Sequence, residues 1–282
     1  MNGRPAPTSR VWCLLVPAGF LLAGLTGCRL STRPGSGASA ARLLPSDSLA
    51  LGAPAVAIAT DGTGLVVLDL DGSRIVRFDE ALQPSDTYLL NPRIIGARGL
   101  LADRFYLYVF DDSRLYRMAR AERRVETWLN NIRSVGVAGY APGEVIVSES
   151  GHGSIWHKTL FMESRRLTAQ SEVREPGALA ALPSGGFAVL SGTNALVEID
   201  RMGIVARRRL RPPGTDLIES DAAGVLYLMQ RGTAMLWLIT QHGGSQHELA
   251  GVQSSDDVAV VGPYVVVLDR ANRLIRFRPS VD

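Results

Sequence analysis

The sequence predicts an all-β protein, a six-bladed β-propeller with about 40 residues per blade. Two landmarks carry this prediction, and each recurs six times along the 282 residues. The first is an apolar run that ends in a polar residue, at Asp69, Asp111, Glu149, Ser191, Gln230 and Asp269. The second is an apolar run that begins at Ile75, Leu115, Ile155, Leu196, Leu236 and Leu274. Successive copies lie 38 to 42 residues apart, and such a period with several short strands per repeat is typical of propeller blades.

Each copy reads as short strands joined by tight turns. In the first copy, from Pro54 to Phe78, apolar runs alternate with the turn sequences DGTG and DLDGS. The β-branched and aromatic side chains of the runs suit a pleated, half-buried surface, and Asp-Gly and Gly-Gly supply the positive φ that hairpin turns need. No sustained helical periodicity follows residue 30, which excludes a solenoid of paired helices.

The start of the predicted propeller completes its last blade. The segment PSDSLAL at 45–51 echoes PSDTYLL at 84–90, the outer strand of the first blade, 39 residues later. No blade core precedes residue 45, and the last blade stops at Phe277 without an outer strand. We therefore expect 45–51 to close the ring as the outer strand of the sixth blade, because closure removes the exposed strand edges of an open array.

The N-terminus has the organisation of a secretory leader. A start with two arginines and no acid precedes the apolar stretch 11–25, which is too short to span a bilayer comfortably. The stretch ends in LTGC at 25–28, which resembles the lipobox of bacterial lipoproteins, where cleavage falls before the cysteine and the thiol is diacylated. The resemblance implies lipidation of Cys28. An ordinary signal peptide followed by a chance cysteine is the alternative.

Three regions follow from this interpretation: a lipoprotein signal peptide at 1–27, a lipid-anchored flexible tether at 28–42 and the propeller at 43–282. The tether is rich in Gly, Ser and Ala, and its arginines either touch anionic headgroups or are merely solvated. Arg29 follows the lipidated cysteine, and in lipoproteins of diderm bacteria a residue other than Asp there implies the outer membrane. The expected location is therefore the cell envelope, with the propeller facing the periplasm.

The charge balance limits the kinds of partner that we expect, and the cysteine content limits the expected disulfides. Removal of the signal peptide would leave 255 residues with 28 basic and 27 acidic side chains, so we expect no nucleic-acid partner. Apart from Cys28, the sole cysteine is Cys13 inside the leader, so no disulfide is expected in the mature chain.

Two hairpins, VVLDLDGSRIVRF and VVVLDRANRLIRF, look like NHL repeats, in which an Asp that ends one strand is followed by a short turn and an Arg that begins the next. The matching pairs are Asp69 with Arg74, Asp269 with Arg273 and, across a shorter turn, Asp111 with Arg114. We expect each pair to hold its turn as an exposed ion pair worth about 0–1 kcal/mol. The resemblance covers residues 43 to 278 and implies a fold, not an activity.

No catalytic residue, metal site or cofactor is predicted. The segment 148–154 holds Ser, His and an acid, but a single hairpin turn does not bring triad members together from separate elements. His242 and His247 flank a Gly-Gly hairpin without a Cys or acid to complete a metal site, so solvated histidines are expected. Six-bladed lactonases place Glu, Asn and Asp on their inner strands, whereas Glu219 and Asp103 are isolated in the corresponding runs here.

The candidate ligand-binding residues are arginines in the loops that lead into the inner strands, namely Arg98, Arg133, Arg174 and Arg211. In a propeller these loops share one face, around the mouth of the central channel. A guanidinium presents a planar donor fork, so such a ring suits a carboxylate, a phosphate or an acidic loop of a partner. The alternative is that each Arg pairs locally with Asp or Glu and is structural.

The function expected from the sequence is a non-enzymatic binding or scaffold module of the bacterial cell envelope, monomeric and anchored to a membrane through Cys28. Its partner would be an envelope protein, a peptide or a glycan that binds at the propeller face. A channel-centred hydrolase of the lactonase type is the alternative. The sequence does not name the ligand.

Overall fold

The computed structural model describes residues 40–132, 134–149, 153–159, 161, 163–167 and 173–279. These residues form β-strands, turns and loops without any helix, and accordingly no helix among them is able to cross a membrane. Cys28 and Arg133, the predicted lipidation site and one predicted ligand-binding residue, lie outside the described residues.

The described part of the chain contains 25 strands. In chain order they are β1 (Ala41–Leu43), β2 (Pro45–Ala50), β3 (Ala55–Thr60), β4 (Leu65–Asp69), β5 (Arg74–Phe78), β6 (Pro84–Leu89), β7 (Gly99–Ala102), β8 (Tyr106–Phe110), β9 (Arg114–Ala119), β10 (Val125–Asn130), β11 (Ser134–Ala141), β12 (Glu144–Glu149), β13 (Ser154–Lys158), β14 (Ser164–Arg166), β15 (Pro176–Ala181), β16 (Phe187–Ser191), β17 (Ala195–Ile199), β18 (Val205–Leu210), β19 (Leu217–Ser220), β20 (Leu226–Met229), β21 (Met235–Ile239), β22 (Gly244–Leu249), β23 (Ser255–Val261), β24 (Tyr264–Asp269) and β25 (Arg273–Phe277).

These strands form six small sheets, which are the six predicted blades. Blades 1 to 4 are β3–β6, β7–β10, β11–β14 and β15–β18, blade 5 is β19–β22 with β1, and blade 6 is β23–β25 with β2. Within each blade, consecutive strands pair antiparallel, so one blade is a four-stranded meander. The first strands of neighbouring blades contact each other in sequence, and the contact between β23 and β3 closes the ring around a central channel. The prediction of a six-bladed propeller is confirmed.

The predicted closure of the ring is also confirmed. Strand β2 pairs antiparallel with β25, with Leu49 opposite Leu274, and completes blade 6. Asn272, which has a φ of 58°, fastens the link that leads on to blade 1. Its side-chain amide donates hydrogen bonds to the carbonyls of Leu51 and Ala53 at 3.0 and 2.9 Å. The turn between β24 and β25 therefore holds the segment that links β2 to β3.

A strand that the sequence did not predict precedes the closing strand. β1 pairs in parallel with β22 and adds a fifth strand to blade 5. It begins within the last two residues of the predicted tether. The side chain of Leu43 packs against the cluster that contains Leu236, Leu249 and Phe277. Three residues are too short a run to show a strand period, which is why the pattern gave no indication of β1.

The apolar core lies between the blades. Among the residues that the structure describes, six clusters of buried apolar side chains occur, one between each pair of neighbouring blades. One of them joins Val266 and Leu268 of blade 6 to Leu65 and Val67 of blade 1. Because both faces of every blade are covered in this way, the middle strands are largely apolar and buried.

Candidate functional site

A cavity of about 460 Å³ opens at the mouth of the central channel where the inner strands begin. Every blade contributes to its wall, through Ile58, Gly99, Gly136, Ala178, Leu217 and Val258. Its volume is that of a small-molecule site, and the rigid ring of inner strands forms it in advance.

Charged side chains from opposite sides of the ring surround this cavity. They are Arg98, Asp111 and Asp112 of blade 2, Asp216, Glu219 and Arg231 of blade 5, and Asp257 of blade 6. The mouth is thus mixed in charge, with five carboxyl groups against two guanidinium groups. It therefore offers acceptors and donors across the channel, and differs from the purely basic ring expected from the loop arginines.

Two of these carboxyl groups, Glu219 on β19 and Asp257 on β23, have raised pKa values, and Asp257 contributes to the shift at Glu219. Burial raises the pKa of Glu219 to about 8, and the charge of Asp257 adds to the effect. Burial also raises the pKa of Asp257 to about 6, although hydrogen bonds from the N–H groups of Ile58 and Val258, at 2.9 and 3.0 Å, act against it. At neutral pH Glu219 is therefore mostly protonated and Asp257 mostly ionised.

The expectation that Glu219 is isolated is therefore wrong, because the inner strand of the next blade brings Asp257 to it. Asp103, the other carboxylate that was expected to be isolated, lies at the opposite end of its inner strand. It accepts hydrogen bonds from the N–H groups of Phe105 and Tyr106, both at 2.7 Å, and from Gly143 of blade 3 at 2.9 Å. These bonds hold a turn and link two blades, which is a structural role.

Of the predicted arginines, Arg98 alone lines this cavity among those that the structure describes. Its Nη1 lies 2.5 Å from Asp112 Oδ1, and both side chains are about two-thirds exposed, at 66% and 65%. Arg98 thus has a local partner, which agrees with the structural alternative, but its exposure leaves the guanidinium accessible from solvent.

Arg211 lines a neighbouring pocket of about 440 Å³ together with Glu175 and Asp216. It donates hydrogen bonds to the carbonyl of Gly192 at 2.5 Å and to Thr215 Oγ1 at 3.2 Å, and burial lowers its pKa.

The side chain of Arg174 is exposed at the surface, while its main chain is fixed through Ser191. The Arg174 N–H donates to Ser191 Oγ at 3.1 Å, and the Ser191 hydroxyl donates to the Arg174 carbonyl at 2.8 Å. Three of the four predicted arginines are thus placed by the structure, and only one lies at the cavity. Binding of an anion by this set stays a prediction.

Sequence reasoning missed Asp216, Arg231 and Asp257. Asp216 immediately precedes inner strand β19, and it accepts a hydrogen bond of 2.7 Å from the main-chain N–H of Arg231 in the adjacent hairpin. Asp257 occupies the start of inner strand β23, the position at which a side chain faces the mouth. A search for any charged residue at the start of an inner strand, rather than for arginine alone, would have found Asp216 and Asp257, whereas Arg231 lies in the turn between β20 and β21 and gives no such signal.

Metal-ligand groupings are not found in the described ranges: no three or more His, Cys, Asp or Glu side chains there are placed to hold a metal ion. One histidine departs from expectation. His247, on β22 where β1 pairs with it, is buried instead of solvated, with Nε2 at 2.8 Å from Ser245 Oγ, and burial lowers its pKa.

Comparison with known proteins supports the fold but assigns this chain to no family. No protein-family model and no curated protein sequence matches this chain. A gluconolactonase from Xanthomonas campestris is similar in structure, with a TM-score of 0.62 and 15% identity over 82% of this chain and 89% of that one. Regucalcin from Agrobacterium tumefaciens, a calcium-binding protein, gives a TM-score of 0.60 and 14% identity, covering 86% and 98% of the two chains.

Virginiamycin B lyase from Staphylococcus aureus gives a TM-score of 0.56 and 12% identity, covering 84% of this chain and 89% of the lyase. At these identities the likeness concerns the fold alone. The chain is a six-bladed β-propeller with a polar cavity at one mouth of its channel, and the similar structures include two enzymes and a protein described as calcium-binding.

Proposed function

We propose that this chain is a binding module of the bacterial cell envelope, held on a membrane by a lipid on Cys28, which engages a peptide or glycan at the channel mouth. The cavity formed by all six inner strands supports this proposal. A preformed concave site with a few converging polar groups on a rigid scaffold is the usual form of a ligand site.

The wall of the cavity offers complementary contacts to such a ligand. Arg98 and Arg231 present donors to carboxylates or hydroxyls, and the carboxyl groups accept from hydroxyls and amines. The ring of Phe110 also lies at this mouth, over Gly99, so closely that a Cβ on Gly99 would collide with it. An aromatic ring beside polar groups suits the apolar face of a sugar or a side chain of a peptide.

The anchor would keep the propeller close to a membrane. Residues 29–40 separate Cys28 from strand β1. A fully extended chain of this length reaches about 40 Å, so the propeller would remain within that distance of its membrane. The outer membrane, with the propeller on the periplasmic side, is the proposed location.

A second function, hydrolysis at the channel, is favoured by the Glu219–Asp257 pair. Two carboxyl groups with pKa values of about 8 and about 6 suit a general acid and a general base. In a lactone hydrolysis, ionised Asp257 would take a proton from the attacking water while protonated Glu219 would give one to the leaving ring oxygen. The gluconolactonase similar in fold makes lactones the first substrates to test.

One experiment separates the two proposals. Glu219→Gln and Asp257→Asn are compared with the wild type and with Arg207→Ala, an exposed site on outer strand β18. For a binding module, immobilised protein should retain an envelope peptide or glycan, and both channel variants should bind it about tenfold or more weakly while Arg207→Ala is unchanged.

For a hydrolase, a panel of sugar lactones should be turned over fastest between about pH 6 and 8, and Glu219→Gln should abolish turnover. Equal ligand retention by the wild type and its three variants would place the binding site away from the channel mouth. Absence of turnover across the lactone panel would remove the lactonase proposal.

A further inference from the structure

A second cavity, of about 340 Å³, lies at the opposite end of the central channel, where the inner strands end. The wall of this far cavity includes the last residue of four inner strands, namely Thr60 of β3, Ala102 of β7, Ala181 of β15 and Ser220 of β19. Four residues line both the far cavity and the cavity at the channel mouth, namely Leu100, Val137, Leu179 and Glu219. The two cavities therefore adjoin inside the ring.

The two ends of the channel differ in polarity. Among the described residues, the ionisable side chains of the far cavity are Glu219, which it shares with the mouth, and Asp221. Asp221 accepts hydrogen bonds from two main-chain N–H groups of its own turn and from the Tyr227 hydroxyl, all at 2.9 Å. The Ser220 hydroxyl donates to the Ala181 carbonyl. These polar groups are thus engaged within the protein, whereas those of the mouth face a ligand.

The rest of the far cavity is aliphatic. Leu101, Leu182 and Pro183 line it together with alanines and Gly139. Glu219 lies between this surface and the mouth, and because burial raises its pKa to about 8, its carboxyl group is mostly uncharged at neutral pH. An apolar group that passes Glu219 would therefore not meet a charge. A charged mouth that leads past a neutral carboxyl group to aliphatic surface matches a molecule with a polar head and an apolar tail.

We propose that the ligand of this channel is acylated, with its polar head at the mouth and an unbranched acyl chain that runs past Glu219 into the far cavity. The inference rests on the proposed binding function, because it adds a tail to the peptide or glycan at the mouth. An inner strand of six residues, such as β3, is about 20 Å long. With a C–C bond of about 1.5 Å, an extended chain advances about 1.3 Å per carbon, so about ten carbons reach from the mouth into the far cavity.

The test is calorimetric titration with N-acylglycines whose acyl chains increase from about two to about ten carbons, each below its micelle concentration. Residues 39–282 form one compact unit with a ring that β2 closes, so this part is titrated alone and without detergent. The affinity of the wild type should rise about fourfold with each added CH₂ group until the chain fills the far cavity. The heat-capacity change of binding should become more negative along the series, since more apolar surface is buried.

Gly139→Leu is the variant that fills the far cavity. A Cβ on Gly139 would have Leu101 Cδ1 as its nearest neighbour at 3.7 Å, so the new side chain starts in ordinary contact and extends into the cavity. It should leave the affinity for the shortest chains unchanged and remove most of the gain from the longer ones. Gly243→Leu is the matched control, because a Cβ there meets no atom within 4 Å and the turn between β21 and β22 is exposed. It should behave as the wild type at every chain length.

Thermal melting shows whether Gly139→Leu is folded, and Gly139→Val, with the same expectation, replaces it if it melts early. An affinity that does not depend on chain length would overturn the proposal and leave the binding of a head at the mouth intact. An equal gain with chain length in the wild type and in the folded Gly139 variant would also overturn it, because the tail would then bind outside the channel. If none of the N-acylglycines binds, the acyl site is excluded, while retention of an unacylated envelope peptide or glycan would still support the proposed function.

Discussion

Asp61 is a carboxylate on which two neighbouring blades converge. Its side chain is 3% exposed, and its Oδ2 accepts hydrogen bonds from Arg77 Nε of blade 1 at 2.8 Å and from Arg120 Nη1 of blade 2 at 2.9 Å. Burial alone would raise the pKa of Asp61, but hydrogen bonds from Arg77, the Thr63 N–H and Arg120 outweigh it and hold the pKa far below its usual value. The carboxylate is therefore ionised in the fold at any ordinary pH.

The substitution Asp61→Asn should destabilise the propeller by about 3–5 kcal/mol, because it leaves two largely buried guanidinium groups without their counter-charge. The measurement is the free energy of unfolding in urea at pH 7. A carboxylate with a depressed pKa stabilises the fold above its unfolded pKa of about 4 and loses this effect as pH falls further. The difference in free energy of unfolding between the wild type and Asp61→Asn should thus become smaller below about pH 4.

Asp86→Asn is the control, since Asp86 pairs with Arg123 at the surface, where the two side chains are 35% and 53% exposed. Its cost should be about 0–1 kcal/mol. A deficit in Asp61→Asn that stays constant from pH 7 to about pH 3 would mean that packing, not the ion pairs, is responsible.

Among single residues, the sequence predicted contacts within one hairpin and missed contacts between blades. The pairs Asp69–Arg74 and Asp269–Arg273 form as expected, because a turn of fixed length sets their separation. Asp69 and Asp269 are nevertheless only 8% and 1% exposed, so the expectation of an exposed pair is wrong for the acidic partner in both. The meeting of Glu219 with Asp257 depends on how one repeat packs on the next, and no spacing along the chain encodes that.

At the scale of elements, the strand period located the blades and their closing strand. β2 was visible because its sequence resembles that of β6, one period away, and begins with the same Pro-Ser-Asp. β1 has three residues, and its parallel pairing with β22 has no counterpart in the other blades. A repeat reveals what recurs, so an element that occurs once is found only from the structure.

Deletion of residues 43–51 should open blade 6 and expose the edge of β25. It would also remove Leu43 from the cluster between blades 5 and 6 and leave the Asn272 side chain without the Leu51 carbonyl. We expect a fall in melting temperature of roughly 10 °C or more, with aggregation measured by light scattering.

Deletion of residues 30–38, which precede the first strand, is the matched control and should leave the melting temperature unchanged. Equal melting temperatures for the two deletions would show that β2 does not hold the ring together.

At the scale of the whole molecule, the described residues form a ring with a charged cavity at one mouth of its channel. The chain enters the fold at β1, on the outer edge of blade 5, so an anchor at Cys28 would pull on the rim and not on the channel. This arrangement depends on Cys28, which lies outside the described residues, and so on a direct test.

Cys28→Ala should abolish anchoring. Two acyl chains give stable membrane attachment where a single chain is marginal, so loss of the acylated thiol should move the protein from the membrane fraction to an unprocessed precursor or a soluble form. The measurement is fractionation of cells that express each form, with metabolic labelling by a radioactive fatty acid. Thr26→Ala, two residues before the cysteine in the same segment, is the control and should remain labelled and membrane-bound. A Cys28→Ala protein that matures normally and still fractionates with membranes would show that this chain is attached by another means.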